Sequence, residues 1–567
     1  MEKFNEAVRF PPVAKPRWDR LAVAVVCALM LLQSGCRIPV LCCADPGPPL
    51  PETYLGRTES ENSAQSGICE FFEDPNLNQL LIQGLVQNQE LKIRNQEIRI
   101  AQNEIMAARG AFLPFASLNA RGGLDKSSKY TPLGAAESQL TYPGGGAFPD
   151  PLTNVGLTTT FFWNLDIWRQ LRNARDAAVQ RYVAVTERRN YLITQLVADT
   201  AENYYELAAL DQRLRILDAT IQLQEQSLEV AKAQKAAARG TELGVQRFLA
   251  EVRKNESQRL IIRQQIIETE NRINLLVGRY PQPVARRPWN YVKRDSQLLF
   301  VGIPPDLLRN RRDVRAAERE ISAAGLDVAV ARAEFYPKLI LTGEVGFEAF
   351  SPKYLFRPDA LVANTIGELS APLINRQAIQ AEYLNANARQ LQAVYEYQRT
   401  LLNAFTEVVN NVAKVENYRR SVEIKQQQVI ALEESVKVAR NLFNSPLQEA
   451  FARVEYVDVL LSTRDLLEAQ NVLIETKQQQ LSAIVNAYQA LGGGYLVTSS
   501  GPEFPELFCT PADVTFSGMV PLPALEEVHD PASPPGDPEV LPPAQDKADH
   551  REGRSARWKP SDQKTKF

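Results

Sequence analysis

One long pattern occurs twice in this chain, so any fold must accommodate both copies. ARGAFLP (108–114) matches ARAEFYP (331–337), and each string closes a helical stretch. Each is followed by a short alternating segment, a polar loop, a second strand-like segment and two long helical stretches. The copies end at glycine, in LLVGRYP (275–281) and in YQALGGGY (488–495). A period of roughly 210 residues is that of an internal duplication, far longer than a solenoid repeat.

The alternating segments show period two. In the second copy Leu339, Leu341, Val345 and Phe347 alternate with Lys338, Thr342, Glu344 and Glu348; in the first, Val155, Leu157, Thr159, Phe161 and Trp163 share one side. Strands are expected at about 115–125, 154–163, 338–348 and 364–371, with loops at 126–153 and 349–363. One apolar and one polar face fits strands between lipid and water, and fits equally a half-buried sheet in a soluble domain. Four strands cannot close a membrane-spanning barrel alone, and open edges in lipid are forbidden. A membrane reading therefore requires several copies to share one barrel.

The helices are unusually long. Proline is absent from 154–280 and from 373–445. Leu210, Leu214, Leu217, Ile221, Gln224, Leu228 and Ala231 recur at steps of four and three. Leu401, Phe405, Val408, Val412, Val415, Arg419, Val422, Gln426, Val429, Glu433 and Val436 do the same. Both are heptad seams, weakened where a member is polar. A continuous helix over 164–239 would be ~110 Å long. Gly240 and Gly244, then Asn444, Ser445 and Pro446, mark the reversals. Heptads alone favour a coiled-coil rod, but a rod has no need for strand pairs at the same end of both copies.

At the N-terminus Lys15, Arg17 and Arg20 precede the apolar run 21–32, then Gln33, Ser34, Gly35 and Cys36. Twelve apolar residues rise only ~18 Å as a helix, too short for a ~30 Å hydrocarbon core. The order basic, apolar, small is that of a signal peptide. Gly35-Cys36 resembles the end of a bacterial lipobox, with Gln33 where that box has leucine; an ordinary export signal and a short anchor are the alternatives. Six cysteines crowd the ends (Cys27, Cys36, Cys42, Cys43, Cys69, Cys509), so disulfides do not staple the middle. A formal net charge of -3 argues against a dedicated nucleic-acid binder, and two histidines leave little for a metal site.

With these features in order, residues 75–495 resemble the TolC-like outer-membrane efflux proteins, in particular the lipoprotein branch of OprM- and NodT-like channels. FFWNLDIWRQLRNAR (161–175) resembles the family's first strand-to-helix junction, carrying Trp163, Asp166 and Trp168. IGELSAPLINRQ (366–377) resembles its counterpart, with Pro372 in place of Asp166, and YVDVLLSTRDLLEAQ (456–470) the segment after the second reversal. The resemblance implies a mixed α/β membrane protein: a homotrimeric twelve-stranded barrel, four strands per protomer, continued by a periplasmic helical tunnel. It implies no chemistry and no cofactor. A periplasmic adaptor and an inner-membrane transporter of resistance-nodulation-division or ABC type would complete an efflux or type I secretion system.

Further residue expectations follow from the resemblance. Cys36 is the lipidation site that tethers the chain to outer-membrane lipid. Asp458 and Leu461 line the periplasmic gate, a solvated surface position being the alternative for Asp458. Arg239, Gly240, Thr241, Leu243 and Gly244 with Leu442, Phe443, Asn444 and Ser445 are hairpin tips that contact the adaptor. The expected organisation is a signal peptide (1–35), an extended segment (36–74), a first repeat (75–281), a linker (282–305), a second repeat (306–495) and a Pro-rich tail (496–567).

Overall fold

The computed structural model describes residues 38–54, 56, 62–72, 74–238, 240–286, 300, 302–372, 376–444 and 456–494. All belong to one compact unit, Met1–Thr510.

A short helix, Ile68–Phe71, with Ile68 and Phe71 in the core, precedes α1 (Pro75–Gln87) and α2 (Gln89–Gly110). Sequence periodicity reads these as one helix, but Asn88 divides it. Its backbone leaves helical geometry at ψ 129, its side chain accepts the Leu91 amide, and its Nδ2 donates to the Leu276 carbonyl 2.8 Å away. Gly278, at φ +78, permits the close pass: a Cβ there would lie 2.4 Å from the Gln87 carbonyl oxygen. A long-range contact thus ends the helix with a capping side chain where local pattern would continue it.

Four strands follow in two pairs, β1 (Phe115–Asp125) and β2 (Leu152–Leu165), then β3 (Lys338–Ala349) and β4 (Leu361–Ser370). They form one antiparallel sheet in the order β1-β2-β3-β4, so the central pairing joins the two copies. The β1–β2 loop contains a short helix, Pro132–Glu137, capped by Thr131.

From the sheet run α3 (Gln170–Ala236) and its return α4 (Glu242–Val277), then, after α5 (Arg312–Ala333) and the second strand pair, α6 (Gln377–Asn444) and its return α7 (Tyr456–Ala490). The 67 residues of α3 give a rod of ~100 Å. It starts at Gln170 because β2 continues to Leu165. The seam residues Leu210, Leu217, Ile221, Gln224, Leu228 and Ala231 are buried, the last pair against Val245 and Phe248 of α4. On α6, Val422 and Val429 meet Ala469 and Leu473 of α7.

The main core sits partway along these rods. Leu77, Leu81 and Leu85 of α1 join Leu196, Val197, Tyr204 and Leu207 of α3 and Ile474, Leu481, Val485 and Tyr488 of α7. The buried Arg311 ties the second copy together. It donates to Asp313 (2.6 Å), to Glu407 of α6 (2.7 Å) and to the Ala490 carbonyl at the end of α7 (3.1 Å).

The extended segment lies along α6. Ile38 and Leu41 pack on Phe335 and Tyr383, Cys42 exchanges hydrogen bonds with the Asn387 side chain, and Tyr54 stacks on Phe405. Cys42 and Cys43 are free thiols and Cys69 is disulfide-bonded.

Candidate functional site: sheet faces, junctions and hairpin ends

Register fixes the two faces of the sheet, because directly opposed residues share a side. One face carries Ser117, Asn119 and Arg121 of β1, Thr160 and Thr158 of β2, Glu344 and Glu348 of β3, and Asn364 and Glu368 of β4. These side chains bond across strands: Ser117 Oγ with Thr160 Oγ1 at 2.8 Å, Asn119 Nδ2 to Thr160 Oγ1 at 2.9 Å, and Arg121 to Glu348 at 2.7 Å. The other face carries Leu118, Leu124, Leu157, Phe161, Leu341, Val345, Leu361 and Leu369. Leu118 and Leu124 are 71% exposed there, and Leu369 66%. Large apolar side chains left this exposed on the outer strands of one face need an apolar surrounding.

At the helix end of the sheet the junction residues come together. The Asp166 carboxylate is buried and accepts the Leu171 and Arg172 amides, both at 2.9 Å, which caps α3 in the absence of a side-chain cap at Arg169. Arg172 reinforces it, donating to the carboxylate at 3.2 Å and to the Asp166 carbonyl at 2.8 Å. The Trp163 indole donates to the Phe112 carbonyl (3.1 Å); the Trp168 indole donates to the Pro337 carbonyl (2.7 Å) and stacks on Tyr336. The duplicated ARGAFLP and ARAEFYP strings therefore supply the acceptors on which both tryptophans close. Their repetition was legible in the sequence; their role as acceptors was not. Pro372 stands half-buried at the second junction. There Arg376 covers the Phe335 ring and donates to the Phe335 carbonyl at 2.9 Å, as Arg172 covers Phe112.

At the opposite end, Thr241 caps α4 by accepting the Gly244 amide (3.3 Å). Leu243 is 58% exposed and Gly244 buried. Among the described residues of this turn, Ala238 is left-handed, at φ 58. Leu442 is exposed near the end of α6, which closes with Phe443 and Asn444. Arg239, Ser445 and Pro446 lie outside the described residues, as does Cys36.

Asp458 and Leu461 share one exposed face at the start of α7, while Val459 and Leu460 turn toward α3 and α4. The same face continues through Asp465, Glu468 and Val472. That continuation is readable from helical spacing once Asp458 is fixed.

A further acidic stripe, missed in the sequence, lies on α3. Asp199, Glu202 and Glu206 form the open face of α3 over 196–210, where the other residues are buried. Burial raises the Glu202 carboxyl above its ordinary range; a hydrogen bond from Asn486 of α7 opposes the rise, and Asp199 and Glu206 add to it. Among the described residues no group of three or more His, Cys, Asp or Glu side chains is placed to hold a metal ion. No helix among them is long and apolar enough to cross a membrane.

Comparisons with known proteins agree with this geometry. The family model described as outer membrane efflux protein matches residues 80–279 and 303–493. The solvent efflux pump outer membrane protein SrpC of Pseudomonas putida is 26% identical over 457 residues, 80% of this chain and 93% of the relative. The cation efflux system protein CusC of Escherichia coli K12 is 24% identical over 442 residues, 77% and 90% of the two chains. Among solved structures, one of CusC superposes with TM-score 0.69 at 21% identity, covering 80% of this chain and 99% of that one. The outer membrane protein VceC of Vibrio cholerae gives 0.66 at 24%, covering 76% and 100%.

Proposed function

The chain belongs to the outer membrane efflux protein family, and from that premise we propose that three copies close one twelve-stranded barrel, continued by a helical tunnel that forms a passive exit duct. The observation that carries this reading is the sheet itself. It has one apolar and one polar face, and β1 and β4 are both edges. An unpaired edge in hydrocarbon leaves several kcal/mol per backbone group unsatisfied, so neighbouring copies must pair β4 to β1. The outer helices support the same assembly. Ile93 and Ile100 of α2, Leu260 and Ile267 of α4, and Ile424 and Ile430 of α6 are each at least 50% exposed on a single copy. The pairs on α2 and α4 keep heptad spacing, as expected of a seam awaiting another helix.

The polar face then lines water and the apolar face meets lipid. The described chain begins at Ile38, packed on Phe335 beside the junctions. Cys36, two residues earlier in the sequence, is the residue proposed for lipidation. The exposed ends around Thr241, Leu243 and Leu442 face a periplasmic adaptor, which couples the duct to an inner-membrane transporter of resistance-nodulation-division or ABC type. The duct itself carries out no reaction.

Asp458 and Leu461 line the entrance at the opposite end from the barrel. Converging carboxylates favour cations and repel one another. Single-channel recording of the purified oligomer in planar bilayers tests this: discrete steps are expected, with reduced cation preference in Asp458→Asn. Steps unaltered by the substitution remove Asp458 from the pore wall. Absence of steps from both proteins, folded and oligomeric, overturns the duct in favour of a non-conducting periplasmic rod.

A further inference from the structure

The polar face of the sheet gathers three large apolar side chains at one level. Phe115 pairs with Phe162, Phe162 with Thr342, and Thr342 with Ile366, so these four residues form a single row across all four strands. Phe115 is 67% exposed, Phe162 48% and Ile366 59%. They lie on the face that two residues further along carries Ser117, Thr160, Glu344 and Asn364. The row sits at the helix end of the sheet, where the barrel gives way to the tunnel. Lipid does not account for it, because the lipid-facing set is the alternate one.

Between this row and the next is a cavity of ≈ 350 Å³, lined by Phe115, Phe162, Thr342, Ser117, Glu344 and Asn364. That volume accommodates a small organic molecule. Its lining includes the aromatic residues Phe115, Phe161 and Phe162 and one carboxylate, Glu344. Glu344 forms no ion pair among the described residues, in contrast to Glu348 on the same strand, which holds Arg121. An aromatic surface beside an uncompensated carboxylate is complementary to a cation with an apolar body. The rings supply apolar contact and cation–π attraction, and the carboxylate supplies charge.

We propose that Phe115, Phe162 and Glu344 of each copy form a contact site in the barrel lumen for organic cations with an aromatic or aliphatic body, Ile366 extending its apolar wall. The site rests on the reading of the polar face as the lumen of a conducting barrel. Such a ring gives apolar cargo a surface to hold at the transition from tunnel to barrel, within an otherwise hydrophilic wall.

The test is block of single-channel current by tetraphenylphosphonium added to the barrel side, with tetramethylammonium as a cation of equal charge lacking the apolar body. Measurements use the full-length oligomer and the variants Phe115→Ser/Phe162→Ser and Glu344→Gln, with Phe115→Ser alone in case the double variant does not assemble. Tetraphenylphosphonium is expected to block the native channel, and tetramethylammonium is not. The half-blocking concentration should rise at least tenfold in the double variant, severalfold in Phe115→Ser and severalfold in Glu344→Gln. Unchanged block in the serine variants, or equal block by both cations, overturns the site while leaving the duct intact. If the native protein and Asp458→Asn both lack conductance, the duct itself fails and the site with it.

Discussion

The two strand-to-helix junctions perform one task with different chemistry. In the first, a buried carboxylate caps α3 and two indoles bind the carbonyls of Phe112 and Pro337. In the second, Pro372 replaces the acid, and Arg376 holds Phe335 through a carbonyl hydrogen bond and its ring face. What both retain is an arginine over the phenylalanine of the duplicated string. The lesson is that both junctions share the contact that orients strand on helix, while the cap differs between them. The hairpins differ similarly. The first buries a polar pair, Asn255 Nδ2 to Gln224 Oε1 at 2.8 Å; the second has the half-buried Lys425 to Thr476.

The largest expected effect separates the junctions. Asp166→Ala leaves two helix-end amides and the Arg172 Nε without their acceptor, and should cost about 2–3 kcal/mol. Pro372→Ala should stay within about 0.5 kcal/mol. Chemical unfolding of the detergent-solubilised protein measures both, and equal losses would erase the distinction drawn between the junctions.

Next comes the hairpin contrast. Gln224→Ala strands the buried Asn255 amide, at about 1–3 kcal/mol. Replacing both partners by leucine should recover most of that loss, because no buried polar group then lacks a partner. Thr476→Val in the second hairpin should cost less than about 1 kcal/mol. If the leucine pair is as unstable as Gln224→Ala, the pair matters for shape rather than for hydrogen bonding.

The smallest effect concerns pH. Asp199 and Glu202, both raised chiefly by burial, belong to the first half. A carboxyl raised in the fold binds its proton more tightly there than in the unfolded chain. Its stabilising contribution is complete below the ordinary glutamate value of 4.5 and is lost as pH rises through the raised value. Native stability relative to Glu202→Gln should therefore increase as pH falls from neutral toward 4.5. A difference independent of pH over that window would show that Asn486 and Lys414 offset the burial.

Much of this architecture was readable from local pattern. Period two in 338–348 marked a strand with unlike faces, and the proline-free windows with their heptads marked the rods. The division at Asn88 was not readable, because its cause is the Leu276 carbonyl in another helix. Of the candidate site, the spacing of Asp458 and Leu461 placed both on one helix face. The acceptors of Trp163 and Trp168 stayed hidden, since a carbonyl's partner leaves no trace in residue type.

The sequence by itself determined which residues alternate, where the long heptad helices lie and that the element order occurs twice, because these are properties of neighbours along the chain. Only the tertiary structure decided that Phe115, Phe162, Thr342 and Ile366 share one row. Strand register between segments so far apart is set by long-range pairing and packing, and a one-residue slip would send each side chain to the other face.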